Sequence, residues 1–292
     1  MHIESYIANL TKANIVYEQG VSLAKYCTYG TGGTCRIMVF PKNHEELLIC
    51  SNTNLPLAVV GFGSNVLFSD YGFEGVIVNT TKMNKIELRG ALIIAQSGAL
   101  LSQIRDYAEL NCLSGLEFTE GIPATVGGAV CMNAGCFSKS ISEYVVYVTT
   151  NKGVYNNNCC QFDYRSSVFD KKAGEIISSV ALMLKPSETD IIESKKEKFK
   201  KLRKSSQPHG KTCGSVFLND GYFAGKVIDQ AGLKGYRIGG AKVSEKHANF
   251  IINEGGSSAD IYKLINYVKS QVYLQSGIKL KEELRFIGRF DD

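Results

Sequence analysis

Two apolar runs, Leu57 to Val60 and Val66 to Phe68, are separated by Gly61-Phe62-Gly63-Ser64-Asn65, and this interruption limits the fold more than any other stretch. Runs of this length read as strands, and the two glycines give the turn between them access to positive φ and to close approach. Ser64 and Asn65 add a hydroxyl and an amide beside the main-chain N–H groups, so the turn can hold an anion such as a pyrophosphate. An ordinary strand-to-strand turn would carry the same glycines. A second segment separates the readings. Gly121-Ile122-Pro123-Ala124-Thr125-Val126-Gly127-Gly128-Ala129 runs into Met132-Asn133-Ala134-Gly135 without a charged residue, and so small a set of side chains packs main chain against a flat or extended ligand.

A chain of 292 residues is long for one hydrophobic core, so two or three compact units are expected. With 44% hydrophobic and 21% charged residues the composition is that of a soluble globular protein. The formal charge of +5 is scattered; it favours anionic ligands slightly and gives no footprint for nucleic acid. No apolar run is long enough to cross a bilayer, and Met1-His2-Ile3-Glu4-Ser5 lacks the start of a secretion signal, so a cytoplasmic protein without membrane insertion is expected. The nine cysteines form no Cys-x-x-Cys pair and read as reduced, mostly buried small hydrophobes. None of the four histidines stands at zinc-ligand spacing, so no metal site is expected.

Asn43 with Glu46 predicts a capped helix through Leu47 to Ile49, ahead of the strand at Leu57. Further strands are expected at Gly75 to Asn79, Leu92 to Gln96 and Ile176 to Leu184, and Leu101, Ile104 and Ala108 share a helical face ending near Asn111. Glu188 to Lys204 holds seven basic and four acidic residues, with Ile191, Ile192, Phe199 and Leu202 as anchors. It reads as a solvated connecting helix stopped by Pro208. Beyond it, Ala224, Val227, Ile228 and Ala231 mark one helix, and Ile261 to Val272 a longer one opening near Ser257 or Ser258 and ending near Gly277. A final strand is expected over Ile278 to Ile287. Gly210-Lys211-Thr212 fails the phosphate-loop pattern because Ser205 stands where glycine is required, and Gly30-Thr31-Gly32-Gly33 fails the Rossmann spacing.

The two glycine loops together with Ser69-Asp70, Gly115-Leu116-Glu117-Phe118, Tyr164-Arg165, Gly214-Ser215-Val216-Phe217, Gly239-Gly240-Ala241 and Glu283-Leu284-Arg285-Phe286-Ile287-Gly288 occur in a fixed order. In that order, from about Tyr26 to Gly288, the chain resembles the UDP-N-acetylenolpyruvoylglucosamine reductase family. The resemblance implies an α+β protein: the two-subdomain FAD-binding fold of the vanillyl-alcohol oxidase type, over 1–76 and 77–187, plus a C-terminal α+β substrate-binding domain over 188–292 that begins with the connecting helix. It implies non-covalent FAD, since neither loop contains histidine, with NADPH as electron donor and a UDP-sugar enolpyruvyl ether as substrate, acted on by a monomer in peptidoglycan precursor synthesis.

Carried over residue by residue, the resemblance implies Gly61, Gly63, Ser64, Asn65, Gly121, Thr125, Gly127, Gly128 and Ala129 for the cofactor. Arg165 matches the arginine that supports a developing enolate, a task its rigid cationic fork suits. Ser215 matches the residue that protonates C2; an unactivated hydroxyl is a weak acid, so the role needs tight positioning, and Cys213 is a conceivable substitute. Glu283 matches the C-terminal glutamate, which as a carboxylate would repel the enolate unless its pKa were raised. Glu282 stands where the family usually has proline and is expected to face solvent. Tyr164, Gln207, Asn219 and His247 are the candidate substrate contacts. Leu218 replaces the family's lysine, and the chain lacks the tyrosine-bearing insertion of one branch. Two other readings remain at this point: a flavin oxidase or dehydrogenase of a small alcohol or hydroxy acid, which would need a base where Ser215, Arg165 and Glu283 suit delivering a proton, and a non-enzymatic binder of anionic surfaces built on the basic helix.

Overall fold

The apolar periodicities resolve into two units, each assembled from separated pieces of chain. The computed structural model describes residues 3–172 and 174–290. One unit takes the chain up to Glu18, then Ile37–Phe62 and Gly75–Arg203; the other takes Gln19–Arg36, Gly63–Glu74 and the chain from Lys204 onward.

The first unit holds two sheets, except that Gln19–Ser22 and Thr34–Arg36, from the first two strands of one of them, fall in the other unit. One has the strand order Val16–Ser22, Thr34–Phe40, Phe73–Asn79, Leu57–Val60, the last two being parallel, with a core of Tyr6, Leu10, Ile37, Val39, Leu47, Val76 and Val78. The helix His44–Ser51 covers it and starts as the sequence predicts: Glu46 N donates to Asn43 Oδ1 at 2.8 Å, and Lys42 N to Glu46 Oε2 at 2.8 Å. The other sheet is antiparallel, ordered Val154–Asn156, Val145–Thr150, Ile177–Met183, Leu92–Gln96, Ile86–Arg89. Its inward residues Ile93, Ala95, Val148, Val180 and Leu182 pack with Leu101, Ile104 and Ala108 of the helix Leu101–Leu110, whose 3.6-residue period lays those three on one face.

The long helix Thr189–Ser206 forms as expected, but its basic face is not simply solvated. Lys195 Nζ donates to Ser114 Oγ at 3.0 Å, Lys196 pairs with Glu109 at 2.6 Å, and Arg203 Nε donates to Glu120 O at 2.7 Å. Of the four apolar anchors, Ile192 is buried and Phe199 packs on the core, while Ile191 and Leu202 are exposed.

The second unit is a three-stranded antiparallel sheet, Arg237–Ile238, Ala241–Val243 and Ile251–Asn253, with the helices Ala224–Gln230 and Ser258–Ser276. Ser257 and Asp260 cap the longer helix reciprocally, and Gly277 ends it at φ 71°. The C-terminal strand is shorter than its apolar pattern: only Arg285–Ile287 forms a ladder, parallel to Val66–Phe68. The preceding residues have another partner. Leu218 N donates to Lys281 O and Glu283 N to Val216 O, both at 2.8 Å, so the chain changes partner near Leu284 and no single ladder can run its length.

Candidate active site

The two glycine loops meet within the first unit at Gly61. A Cβ placed on it would lie 2.2 Å from Thr125 Oγ1, so only a residue without a side chain lets these segments touch. Thr125 caps the six-residue helix Val126–Cys131, a helix absent from the sequence reading, through Gly128 N at 3.4 Å. Val126 N and Gly127 N donate to Ala99 O and Ser97 O at 2.8 Å, and a Cβ on Gly127 would meet Ser97 Cβ at 2.7 Å. Gly127 and Ala129 are buried, while Gly121 and Gly128 are exposed. Two arginines anchor the loop at its start. Arg105 pairs with the Glu120 carboxylate at 2.7 Å, and Arg203 holds Glu120 O while its stem packs over Gly121.

Gly63, Ser64 and Asn65 open the second unit. Gly63 has φ 76°, as the turn requires, but a Cβ there would sit 1.9 Å from Tyr26 O. The close approach is therefore to the protein's own main chain, and substitution of Gly63 would strike the fold before any ligand. Asn65 Nδ2 donates to Glu283 O at 3.1 Å, which ties this turn to the C-terminal segment.

Arg165 occupies the left-handed region at φ 52°, third in a turn closed by Asp163 N to Ser166 O at 3.0 Å. A residue with a Cβ costs about 1–2 kcal/mol there. Three side chains hold the turn against that cost: Asn133 Nδ2 donates to Asp163 O at 2.9 Å, Ser167 Oγ to Cys131 O at 2.7 Å, and Arg165 itself to Gly135 O at 2.7 Å. Its guanidinium also lies 5.2 Å from the centre of the Tyr164 ring, which is about half exposed. Asn133 and Ser167 were not singled out from sequence, although Asn133 lies in the second glycine loop.

Ser215 and Glu283 lie in the second unit on neighbouring main chain. Ser215 bridges Phe250 in antiparallel register, and Val216 accepts from Glu283 N. The buried Asn249 completes the arrangement: its Oδ1 accepts from Phe217 N at 2.9 Å and its Nδ2 donates to Phe217 O at 2.8 Å, so one amide does the work of a strand. Nothing in the sequence marks it. Glu282 turns away and pairs with Lys269 at 2.5 Å, about a quarter exposed rather than facing solvent freely. Cys213 is buried, with its sulfur against Val66 O.

The candidate substrate contacts are spread over both units. Tyr164 precedes Arg165; Gln207 follows the helix Thr189–Ser206. Asn219 is exposed and its Oδ1 accepts from Ala224 N at 2.9 Å, capping the helix Ala224–Gln230. His247 packs edge-on against Phe250 at 4.9 Å, and burial holds its pKa below the ordinary 6.5. Among the described residues no cluster of histidine, cysteine and carboxylate side chains could hold a metal, and no helix is long and apolar enough to cross a membrane.

Residues 36–152 match the pattern described as an FAD binding domain, and residues 206–287 that of the UDP-N-acetylenolpyruvoylglucosamine reductase C-terminal domain. The UDP-N-acetylenolpyruvoylglucosamine reductase of Pediococcus pentosaceus is 40% identical over 279 residues, covering 91% of this chain and 92% of its own. That of Caldicellulosiruptor bescii is 38% identical over 304 residues, covering 100% and 96%. The crystal structure of the Thermus caldophilus reductase superposes with a TM-score of 0.83 at 33% identity, over 94% of this chain and 100% of that one. The chain belongs to the UDP-N-acetylenolpyruvoylglucosamine reductase family. As a member it is an FAD-dependent oxidoreductase. The side-chain-free contact at Gly61 fits that cofactor: it leaves main chain, rather than bulky side chains, where the two loops come together.

Proposed function

We propose that the chain reduces UDP-N-acetylglucosamine-enolpyruvate to UDP-N-acetylmuramate with NADPH, in peptidoglycan precursor synthesis, and that Arg165, Ser215 and Glu283 are its catalytic residues. Bound FAD supplies a two-electron relay between nicotinamide and substrate. Gly61, Gly63, Ser64 and Asn65 hold it from one loop, and Gly121, Thr125, Gly127, Gly128 and Ala129 from the other. Once C3 of the enolpyruvyl group has gained hydride, negative charge collects at C2 and the carboxylate. The protein then has two tasks, to carry that charge and to return a proton.

The Arg165 fork carries the charge, because a guanidinium stays cationic at any working pH and presents paired donors to a carboxylate. Its strained backbone supports this role, since such conformations persist where position matters more than ease of folding. Ser215 Oγ gives its proton to C2, and Glu283, whose main chain adjoins Val216, orients or replenishes that proton. This pairing of Glu283 with Val216 is the observation that carries the reading: it brings a hydroxyl and a carboxyl residue, distant in sequence, onto adjacent main chain. Tyr164, Gln207, Asn219 and His247 contact the sugar nucleotide. The protein acts in the cytoplasm as a monomer in this reading; a solution mass of twice 32.0 kDa would overturn the monomer.

The test separates the half-reactions. In Ser215→Ala, NADPH should still reduce the flavin near the normal rate, while turnover of the enolpyruvyl substrate falls by about 10²- to 10⁴-fold. Ser215→Cys should recover part of it, because a thiol is the stronger acid. Equal slowing of both half-reactions in stopped flow would make Ser215 structural.

A further inference from the structure

We infer that Cys27 and Cys213 form a redox modification site, a buried dithiol that a hydroperoxide converts to a disulfide. The two residues are 186 positions apart, yet their sulfurs lie 3.9 Å from one another within the second unit. Both thiols donate to the same acceptor, Val66 O, at 3.1 and 3.2 Å. A disulfide bond is about 2.05 Å long, so closure asks each sulfur to move by roughly 1 Å. The vicinal Cys159 and Cys160 offer no such approach, for Cys160 Sγ points to Asn156 O and Cys159 is exposed.

The surroundings give the two sulfurs different parts. Cys27 faces the main-chain N–H groups of Tyr29, Gly30 and Phe68, and these, after the Cys213 thiol, hold its pKa down against burial. Burial first, and then Cys27, push the Cys213 thiol up. Cys27 is thus the sulfur that gives up its proton more readily, and Cys213 the partner that keeps its own. The Cys27 thiolate attacks one peroxide oxygen, the O–O bond breaks and hydroxide leaves, giving the sulfenic acid. Cys213 sulfur then attacks Cys27 sulfur; the S–O bond breaks, the thiol proton leaves with the oxygen as water, and the dithiol has lost two electrons to the peroxide. Beside the pair lie two buried hydroxyls, Tyr29 Oη and Thr212 Oγ1, which face one another.

Closure would be felt at both segments proposed to act in the reaction. Thr28 N donates to Gly63 O at 3.0 Å and Thr28 Oγ1 to Thr212 O at 2.7 Å, while Ser215 follows Cys213 by two residues. The expected loss of turnover therefore rests on the reading of Gly63 and Ser215 given above, whereas formation of the bond does not.

The experiment treats FAD-loaded enzyme with excess hydrogen peroxide, blocks free thiols at low pH and maps tryptic peptides without reduction. The expected product joins the peptide Tyr26–Arg36 to Thr212–Lys226, with fragmentation distinguishing Cys27 from Cys35 on the same peptide. Turnover should drop by about tenfold or more and return with dithiothreitol, as expected when a reacting group shifts by about 1 Å. Cys27→Ser should keep turnover without peroxide and lose the sensitivity. Oxidation confined to Cys112 and Cys159, or overoxidation of Cys27 without a linked peptide, would overturn the site. A linked peptide with unchanged turnover would leave the site standing and count against the catalytic reading of Ser215.

Discussion

The turn that carries Arg165 is kept in place by side chains, with Asn133, Ser167 and the guanidinium itself each donating to a main-chain carbonyl, whereas Ser215 rides on main-chain pairing with Phe250 and on bonds continuing through Val216 to Glu283. Side-chain anchors can be cut singly without dissolving the scaffold beneath them. Main-chain pairing cannot, because the same bonds position the residue and hold the unit together. Substitutions around Arg165 should thus separate activity from stability, and those around Ser215 should lower both.

The sharpest test of that split is Arg165→Gly. Activity should fall about 10²- to 10³-fold, as for loss of one strong charge-stabilising donor. Thermal stability should hardly change, since relief of about 1–2 kcal/mol at φ 52° offsets the lost bond to Gly135 O. A clear drop in melting temperature would break the comparison on its first side. On the second side, Asn249→Ala strands Phe217 N and O in a buried place and should cost about 2–4 kcal/mol in denaturant unfolding, with activity lost in parallel. An inactive Asn249→Ala protein of normal stability would show that the amide serves chemistry rather than architecture.

Asn133→Gly keeps the backbone freedom that φ 42° demands and removes the bond to Asp163 O. We expect kcat about 10- to 100-fold lower from misplacement of Arg165, with unfolding free energy changed by about 1 kcal/mol or less. The smallest effect belongs to His247. Its folded pKa lies below the ordinary 6.5, so above that pH it is neutral folded or unfolded and contributes no pH dependence. As pH falls below 6.5 the unfolded chain binds a proton that the folded one resists, and stability declines until the folded pKa is reached. His247→Gln should flatten that part of the stability profile, read as melting temperature against pH.

How much of this was legible in the sequence follows the same division. Local codes were readable: the Asn43 cap, the helical face of Leu101, Ile104 and Ala108, and the Ser257 to Gly277 limits of the last long helix all emerge as expected. Features that depend on distant partners were not. Ile278 to Ile287 has the apolar pattern of one strand, but its partner changes midway from Val216–Leu218 to Val66–Phe68. The basic residues of Thr189–Ser206 read as a solvated face because Ser114, Glu109 and Glu120 are far away in sequence. For the proposed catalytic residues Arg165, Ser215 and Glu283 the motifs gave the candidates, yet the neighbours that hold them, Asn133, Ser167 and Asn249, are ordinary polar residues whose meaning appears only with their main-chain partners.

The parallel pairing of Val66–Phe68 with Arg285–Ile287 also has a consequence for biogenesis. On a ribosome, Asn65 emerges 218 residues before the Glu283 carbonyl it will bond, an interval on the order of 10–40 s at typical elongation rates. Until then the nascent chain offers an apolar strand with an unclaimed edge, and Gln19–Arg36 and Gly63–Glu74 wait for the rest of their unit. The first unit, complete at Arg203, can fold while translation continues. The cell must therefore shelter the half-made protein for that interval, and a shortened C-terminus would forfeit an early part of the chain as surely as a late one.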